Sequence, residues 1–287
     1  MSRANLARLV LGLAVLGGRE ARADGEAADG FVAMPTAPSG VEARVRMSLA
    51  RADRVQALII SPRLAFVVLR GIELDLVLAG ELSRHPQTSG PTEPATSFVG
   101  GAHSLGVAVR RPGTTELVVR ARVTAPAVSS SFLSSHASEE LPYRGATSRI
   151  LVADPAMAWT AATTLTAQLV ASGRTHQGAH APRWTVGIAA VDVVPSDGGN
   201  QLLVRADAGL AGWLSPCWTF AAEVGVISDA FDEGVDEGTD IVPTWIAGLY
   251  HHFDRVQIGV ATSGAFFVGA PGPLIGPTLG LDLRGSL

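Results

Sequence analysis

The sequence predicts an all-β protein: an antiparallel transmembrane β-barrel of about twelve strands, with short periplasmic turns and longer extracellular loops. From residue 40 onward, apolar and polar residues alternate along most of the chain, which is the period of a strand with one apolar face. Many of these runs have nine residues or more, whereas strands of soluble proteins most often have about 5–6. A strand tilted across a bilayer needs roughly 9–11 residues, so the lengths favour a membrane barrel.

The first residues have the pattern of a secretory signal peptide. Arg3 and Arg8 flank a basic start, Leu9–Gly18 is apolar, and Ala21–Ala23 supplies the small residues that precede cleavage. Ten apolar residues are too few for a membrane-crossing helix, which needs roughly 20. We therefore expect export to the cell outer membrane. The predicted division of the chain is a signal peptide at 1–23, a short periplasmic segment at 24–39 and a barrel at 40–287.

Composition excludes several classes of function. All 22 basic residues are arginine, so the P-loop lysine, Schiff-base chemistry and the ATP-binding lysine of kinases are absent. Without residues 1–23 the chain has 18 basic and 25 acidic side chains, a formal charge of −7 that argues against nucleic acid as a partner. The single cysteine excludes an intramolecular disulfide and a cysteine-rich metal site. We expect no cofactor.

Thirteen runs alternate or are otherwise suited to strands. Bacterial single-chain barrels have even strand numbers, so one run is surplus and we expect about twelve strands. The first run and the hairpin at 184–212 are the weakest candidates. The runs are 41–49, 57–69, 73–82, 103–111, 116–123, 149–159, 164–172, 184–194, 201–210, 218–226, 242–253, 256–264 and 274–287.

The connections between these runs are unequal in length, as in outer-membrane barrels. The short ones are Arg70–Gly71, Pro112–Thr114, Ala161–Thr163, Leu214–Pro216 and Asp254–Arg255. The long polar ones are Arg84–Ala102, Pro126–Ser148, Gly173–Pro182 and Ser228–Ile241. A soluble periplasmic β-sandwich that binds a ligand also alternates and is the competing architecture. Strand length, unequal connections and a last strand that ends on apolar Leu287 favour the barrel.

The polar face of the alternating runs is unusually rich in charge. Two interpretations stay open: the charges select solutes in a polar lumen, or they pair across the barrel and plug it. Acid and base are nearly balanced on this face, which favours pairing. The predicted lumen-facing residues are Arg63, Glu73, Asp75, Glu81, Glu116, Arg120, Arg122, Arg205, Asp207 and Glu223.

Neither a metal site nor a catalytic set has a strong pattern in the sequence. The loop Asp229–Asp240 is rich in carboxylates, and Asp232, Asp236 and Asp240 are candidate calcium ligands, but their spacing matches no EF-hand loop. A solvated acidic loop is the simpler interpretation. His103 and Ser104 are adjacent, but neighbours in a strand point to opposite faces and cannot form a base–nucleophile pair. We therefore expect no catalytic residues and no enzyme activity.

Three stretches resemble a family of bacterial outer-membrane β-barrels associated with transport in the phenol meta-cleavage pathway. They are Glu116–Ser131, Trp213–Asp229 and Thr239–Phe266. Their pattern is a strand that ends in proline, then a strand with an inward glutamate and a long loop. Two strands joined by a tight turn at an Asp follow. The chain departs from the family at its last residue, where Leu287 replaces an aromatic. The resemblance implies a barrel in the outer membrane and carries no catalytic residues.

Two classes of function follow from these observations. The first is a passive channel or transporter for small solutes, and the second is a structural or adhesive outer-membrane barrel with a charge-plugged lumen. In either case the expected partners are outer-membrane lipid and lipopolysaccharide, with a small-molecule solute in the first class. The sequence does not decide the oligomeric state.

Overall fold

The barrel wall consists of twelve strands in the part of the chain that the structure describes. This computed structural model describes residues 41–52, 55–85, 95–125, 162–176, 181–195, 201–229, 241–253, 256–265 and 275–286. The first six strands are β1 (Val41–Ala52), β2 (Val55–Leu69), β3 (Ile72–His85), β4 (Ala95–Arg111), β5 (Thr115–Ala125) and β6 (Ala162–Arg174). The other six are β7 (Arg183–Pro195), β8 (Gln201–Ser215), β9 (Trp218–Asp229), β10 (Ile241–Phe253), β11 (Val256–Ala265) and β12 (Ile275–Ser286).

The sheet is antiparallel and closes on itself. Each strand pairs with its neighbours in sequence, and β1 pairs with β12, for example Val45 opposite Leu283. Closure leaves no strand without a neighbour on either side, so the backbone groups in the paired parts of the strands bond within the wall. The barrel prediction is confirmed, and the alternative of a soluble β-sandwich is wrong because two packed sheets would leave β1 and β12 unpaired.

The two ends of the barrel differ in their connections. We call the end where β1 begins and β12 ends the turn end; its connections are 70–71, 112–114, 175–182, 216–217 and 254–255. The opposite, loop end carries the two longest connections, 126–161 and 230–240. Strand direction places Gly173–Pro182 at the turn end, so its grouping with the long outer loops is wrong. In the Arg70–Gly71 turn, Gly71 has φ 81, a left-handed conformation that favours glycine.

The strand count agrees with the sequence, but the surplus run was misplaced. The first run and the hairpin at 184–212 are both present as β1, β7 and β8. The run Arg149–Trp159 lies outside the described residues. Ala162 and Thr163 belong to β6 and not to a turn. The predicted signal peptide and the segment at 24–39 also lie outside the described residues, and none of the described residues forms a helix long and apolar enough to cross a membrane.

Alternation along the strands separates two faces of the wall. In β5 the side chains are alternately exposed and buried over the whole strand, and the exposed positions are apolar, as at Val119 and Val123. The interior positions include charged residues, as at Arg120 and Arg122. A side-chain period of two in a closed sheet forces this division, because each residue faces either the interior or the outside. The charged face therefore lies inside the barrel.

Closure can be tested by cross-linking β1 to β12. In a Cys217→Ser background, Val45→Cys with Leu283→Cys should form a disulfide on oxidation, because the Cβ atoms of directly opposed residues lie about 4.5–5.5 Å apart. Val45→Cys with Leu281→Cys is the matched control, since that diagonal separation is about 7–8 Å. Mobility on a denaturing gel without reductant measures the yield. Equal yields for the two pairs would contradict the register of the closing strands.

Candidate functional site

Five charged side chains from β2, β3 and β5 meet on the interior face and form what we call the central cluster. Its members are Arg63, Glu73, Asp75, Arg120 and Arg122. All five residues are buried, and Asp75 and Glu73 retain 1% and 2% of their exposed surface. Charges at this depth are stable only with partners of opposite sign, because the loss of hydration costs several kcal/mol per ion.

The central cluster joins each carboxylate to more than one arginine. Glu73 Oε1 accepts hydrogen bonds from Arg63 Nη2 at 3.0 Å and from Arg120 Nη2 at 3.4 Å. Asp75 Oδ2 accepts one from Arg122 Nη2 at 3.1 Å and lies 3.6 Å from Arg63 Nε. Arg120 Nη1 also donates to Gln168 Oε1 on β6 at 3.4 Å. The network therefore links side chains of four strands, β2, β3, β5 and β6, and passes over β4.

The register of β3, β4 and β5 explains why these charges meet across an intervening strand. Asp75 is opposite Gly106 on β4, and Gly106 is opposite Arg122 on β5. A Cβ atom at Gly106 would collide with Asp75 Oδ1. The missing side chain leaves room for the Asp75 carboxylate to lie over β4 and reach Arg122. Two residues nearer the turn end, Ala108 is opposite both Glu73 on β3 and Arg120 on β5, so it separates them in the same way.

A second group, the turn-end cluster, lies nearer the turn end of the same wall. It consists of Arg110, Glu116, Arg183 and Ser172. Arg110 Nε lies 2.7 Å from Glu116 Oε1, and Arg110 Nη2 donates to Glu116 Oε2 at 3.1 Å. Arg183 Nη2 donates to Glu116 Oε2 at 3.0 Å and to Ser172 Oγ at 3.1 Å. A forked pair of this kind fixes the orientation of both groups, because two parallel contacts join one guanidinium to one carboxylate.

The far side of the barrel carries a smaller charged pair on β8. Arg205 Nε donates to Asp207 Oδ2 at 2.6 Å, and both side chains are buried. Asp207 is opposite Gly225 on β9, and a Cβ atom there would collide with Asp207 Oδ1. Both inward aspartates that take part in these ion pairs thus face a glycine on the following strand. Glu223, on β9, is also buried at 3% exposure.

The structure separates the predicted lumen-facing residues into three groups. The central cluster brings together five of them, Glu116 belongs to the turn-end cluster, and Arg205 and Asp207 pair on β8. The side chain of Glu81 lies outside the described part of the structure. Arg110 and Arg183 are not among the predicted lumen-facing residues, although both share the inward parity of their strands. Arg183 precedes the predicted run, which begins at Trp184.

The other candidate residues give no site in the described part of the chain. Asp232, Asp236 and Asp240 lie outside the described residues. Within the described ranges, no group of three or more histidine, cysteine, aspartate or glutamate side chains could hold a metal ion. His103 is exposed on the outer face, whereas Ser104 is buried at 1% exposure on the inner face, so the two side chains lie on opposite faces.

Near the loop end the interior changes from charged to apolar on the other side of the barrel. Ala162, Val191, Val193 and Leu203 pack together there, with exposures of 1–6%. They come from the loop-end parts of β6, β7 and β8. A second buried apolar cluster, Ala108, Val118 and Val170 on β4 to β6, lies next to the charged clusters. A solute would therefore meet both charged and apolar surfaces in the described interior.

Comparison with known proteins supports the fold. A scan against protein-family models and a search of curated proteins find no match. Among solved structures, the chain is similar to an outer-membrane channel from Pseudomonas putida F1, at 12% identity and TM-score 0.55, over 90% of this chain and 98% of that one. It is similar to the NanC porin at 10% identity and TM-score 0.50, over 85% of this chain and 100% of that one. It is also similar to LpxR from Salmonella typhimurium at 10% identity and TM-score 0.51, over 86% of this chain and 100% of that one. Identities this low establish the fold alone.

The central cluster depends on the absence of a side chain at position 106. Gly106→Ala should destabilise the barrel by about 1–3 kcal/mol, because the added methyl group overlaps the Asp75 carboxylate and displaces it from Arg122. Ala108→Gly, on the same face of β4, is the control and should cost about 0.5–1 kcal/mol. Urea titration of refolding into lipid vesicles measures both. A smaller loss for Gly106→Ala than for the control would contradict this role of Gly106.

Proposed function

We propose that this chain is an outer-membrane barrel that acts as a passive channel or transporter for small solutes. The observation that carries the membrane location is the apolar outer face. Exposed aliphatic side chains occur on strand after strand around the wall, including Leu105 (61%), Val119 (55%), Ile188 (51%), Val224 (63%) and Val260 (50%). Soluble monomers rarely expose a contiguous apolar surface of more than a few hundred Å². A bilayer covers such a surface, and a closed sheet meets the requirement that backbone groups in the bilayer pair within the protein.

Aromatic side chains support a membrane boundary at the turn end. Trp218 at the start of β9 contacts His251 on β10, with ring centroids 4.7 Å apart in a T-shaped arrangement. His251 also contacts Phe253, with centroids 4.2 Å apart. Aromatic rings with one polar edge are enriched where hydrocarbon meets the headgroups. We therefore propose that the turn end lies at the periplasmic boundary, with phospholipid around it and lipopolysaccharide around the loop-end half of the outer face.

The proposal of transport is supported by the polar interior and by the similar structures. The interior face holds buried arginines and carboxylates along β2 to β5, the kind of surface that acts on a solute through its charge. Two of the similar structures are described as an outer-membrane channel and a porin. The sequence resemblance to barrels of the phenol meta-cleavage pathway supports a small solute as well. We infer passive passage, because nothing in the composition provides for nucleotide hydrolysis.

One observation favours the second candidate, a structural or adhesive barrel with a sealed interior. Small interior side chains that an open lumen would expose are buried: Thr124, Thr164 and Thr185 have 0% exposure and Ser104 has 1%. The paired charges of the central cluster fill part of the same space. A channel built on this wall is therefore narrow at the level of the central cluster, and a sealed barrel is the limiting case.

Depth-dependent substitution tests the membrane assignment. Leu76→Arg should cost roughly 2–4 kcal/mol of folding free energy, because it places a charge on the lipid face well inside the wall. Thr115→Arg, also on the outer face but at the first residue of β5, should cost about 0–1 kcal/mol. Thr115 lies at the turn-end rim, where the side chain reaches the headgroups. Folding yields in vesicles compare the two variants, and equal losses would argue against a bilayer around this face.

Single-channel recording in planar bilayers tests transport. A channel should give stepwise current through the purified, refolded barrel, whereas a sealed barrel should give none at any voltage. Heat-modifiable gel mobility of the same sample shows that the protein is folded. Arg205→Ala should shift the ion selectivity toward cations if current flows, since it leaves Asp207 without the arginine at 2.6 Å. A folded barrel without current would favour the structural class.

A further inference from the structure

In the central cluster, two of the three arginines are more accessible than the carboxylates. The side chains of Arg63 and Arg122 each retain 8% of their exposed surface, whereas Glu73 retains 2% and Asp75 retains none. Arg120 is as buried as Glu73, at 2%. The Asp75 carboxylate lies over Gly106 of the wall. A near balance of charge sign therefore does not produce a neutral surface. A solute that reaches this cluster meets positive charge first.

The turn-end cluster has the same order. Arg110 and Arg183 retain 25% and 14% of their side-chain surface, against 11% for Glu116. The two clusters together hold five arginines and three carboxylates, a formal charge of +2. Low-dielectric walls strengthen the field of such a group, because water screens it less than at an open surface. The field along this part of the wall favours anions.

We propose that the wall formed by β2 to β7 binds and conducts small carboxylate anions, with Arg63 and Arg122 as the inner contact and Arg110 and Arg183 as the contact near the turn end. This inference rests on the proposed channel and names its class of solute. An anion entering from either end exchanges between guanidinium groups on one face of the barrel. Arginine suits this exchange, because its planar fork matches a carboxylate and is always charged.

The chain's own ion pairs indicate why the anion is a carboxylate. Glu73, Asp75 and Glu116 already occupy guanidinium groups in hydrogen-bonded or forked arrangements at 2.7–3.4 Å. The same arginines can therefore donate to a carboxylate of a solute in place of an internal carboxylate. The internal carboxylates compete with the solute and keep its binding reversible.

Reversal potentials in a KCl gradient test the selectivity of the channel. The wild-type barrel should favour chloride over potassium, and Arg110→Gln should lower that permeability ratio by at least about two-fold. Arg111→Gln is the matched control. Arg111 is the next residue of β4, exposed and on the outer parity of Leu105 and Val107, so the same charge is removed outside the barrel. An unchanged ratio in Arg110→Gln, or equal effects of the two variants, would overturn the inference.

Calorimetric titration of the detergent-solubilised barrel with succinate tests binding without any need for current. Asp75→Asn should bind succinate about ten-fold more tightly than the wild type, because one internal competitor for the arginines is removed. Arg63→Gln should bind it more weakly and keeps the test decisive if Asp75→Asn does not fold. Weaker or equal binding to Asp75→Asn, or unchanged binding to Arg63→Gln, would overturn the inference.

The two measurements separate this inference from the proposed function. Succinate binding without current would exclude the channel and leave the anion site. Current with cation preference, unaffected by succinate, would exclude the anion site and leave the channel. Anion-selective current that succinate blocks, together with tighter binding to Asp75→Asn, supports both.

Discussion

Compensation of charge in the interior is the constraint on which the rest of this wall depends. Strand geometry turns alternate residues inward, and the sequence places arginines and carboxylates at those positions on β2, β3 and β5. Each carboxylate of the central cluster contacts at least two arginines, so no single hydrogen bond carries the compensation. The loss of one partner from a buried pair costs several kcal/mol, and shared partners reduce that cost. The cluster thereby compensates buried charges that would otherwise destabilise the interior.

Two small residues on β4 make the compensation possible. The carboxylates are on β3 and two of their arginines are on β5, at matching register, so the contacts must cross β4. Gly106 and Ala108 provide the crossing points, and a larger residue at either position would separate the charges. On β9, Gly225 likewise leaves room for the carboxylate of Asp207, whose arginine partner Arg205 is on the same strand, β8. Which interior charges come into contact therefore depends on the positions of the small residues as well as on the positions of the charged ones.

The sequence was sufficient for the architecture, because local periodicity gives the strands and their length, and the unequal connections favour a barrel over a sandwich. The alternation of β3, β5, β8 and β9 predicts which residues turn inward, and nine of the ten selected charged residues have exposures of 9% or less. It could not predict which charges meet. Asp75 and Arg122 are 47 residues apart and meet only through the register of three strands. Arg183 was missed because a charged residue at a strand end looks like part of a turn.

The strand-skipping contacts have a consequence for how the wall assembles. A hydrogen-bonded hairpin of β3 and β4 forms from local chain, but Glu73 and Asp75 meet Arg120 and Arg122 only after β5 has joined on the far side of β4. Until then the two carboxylates have only Arg63 of the three arginines of the central cluster. The three strands therefore gain stability together, as one cooperative unit, and a barrel interrupted after β4 would be a poorly stabilised intermediate. In this chain the order of strand addition is coupled to the pairing of charge.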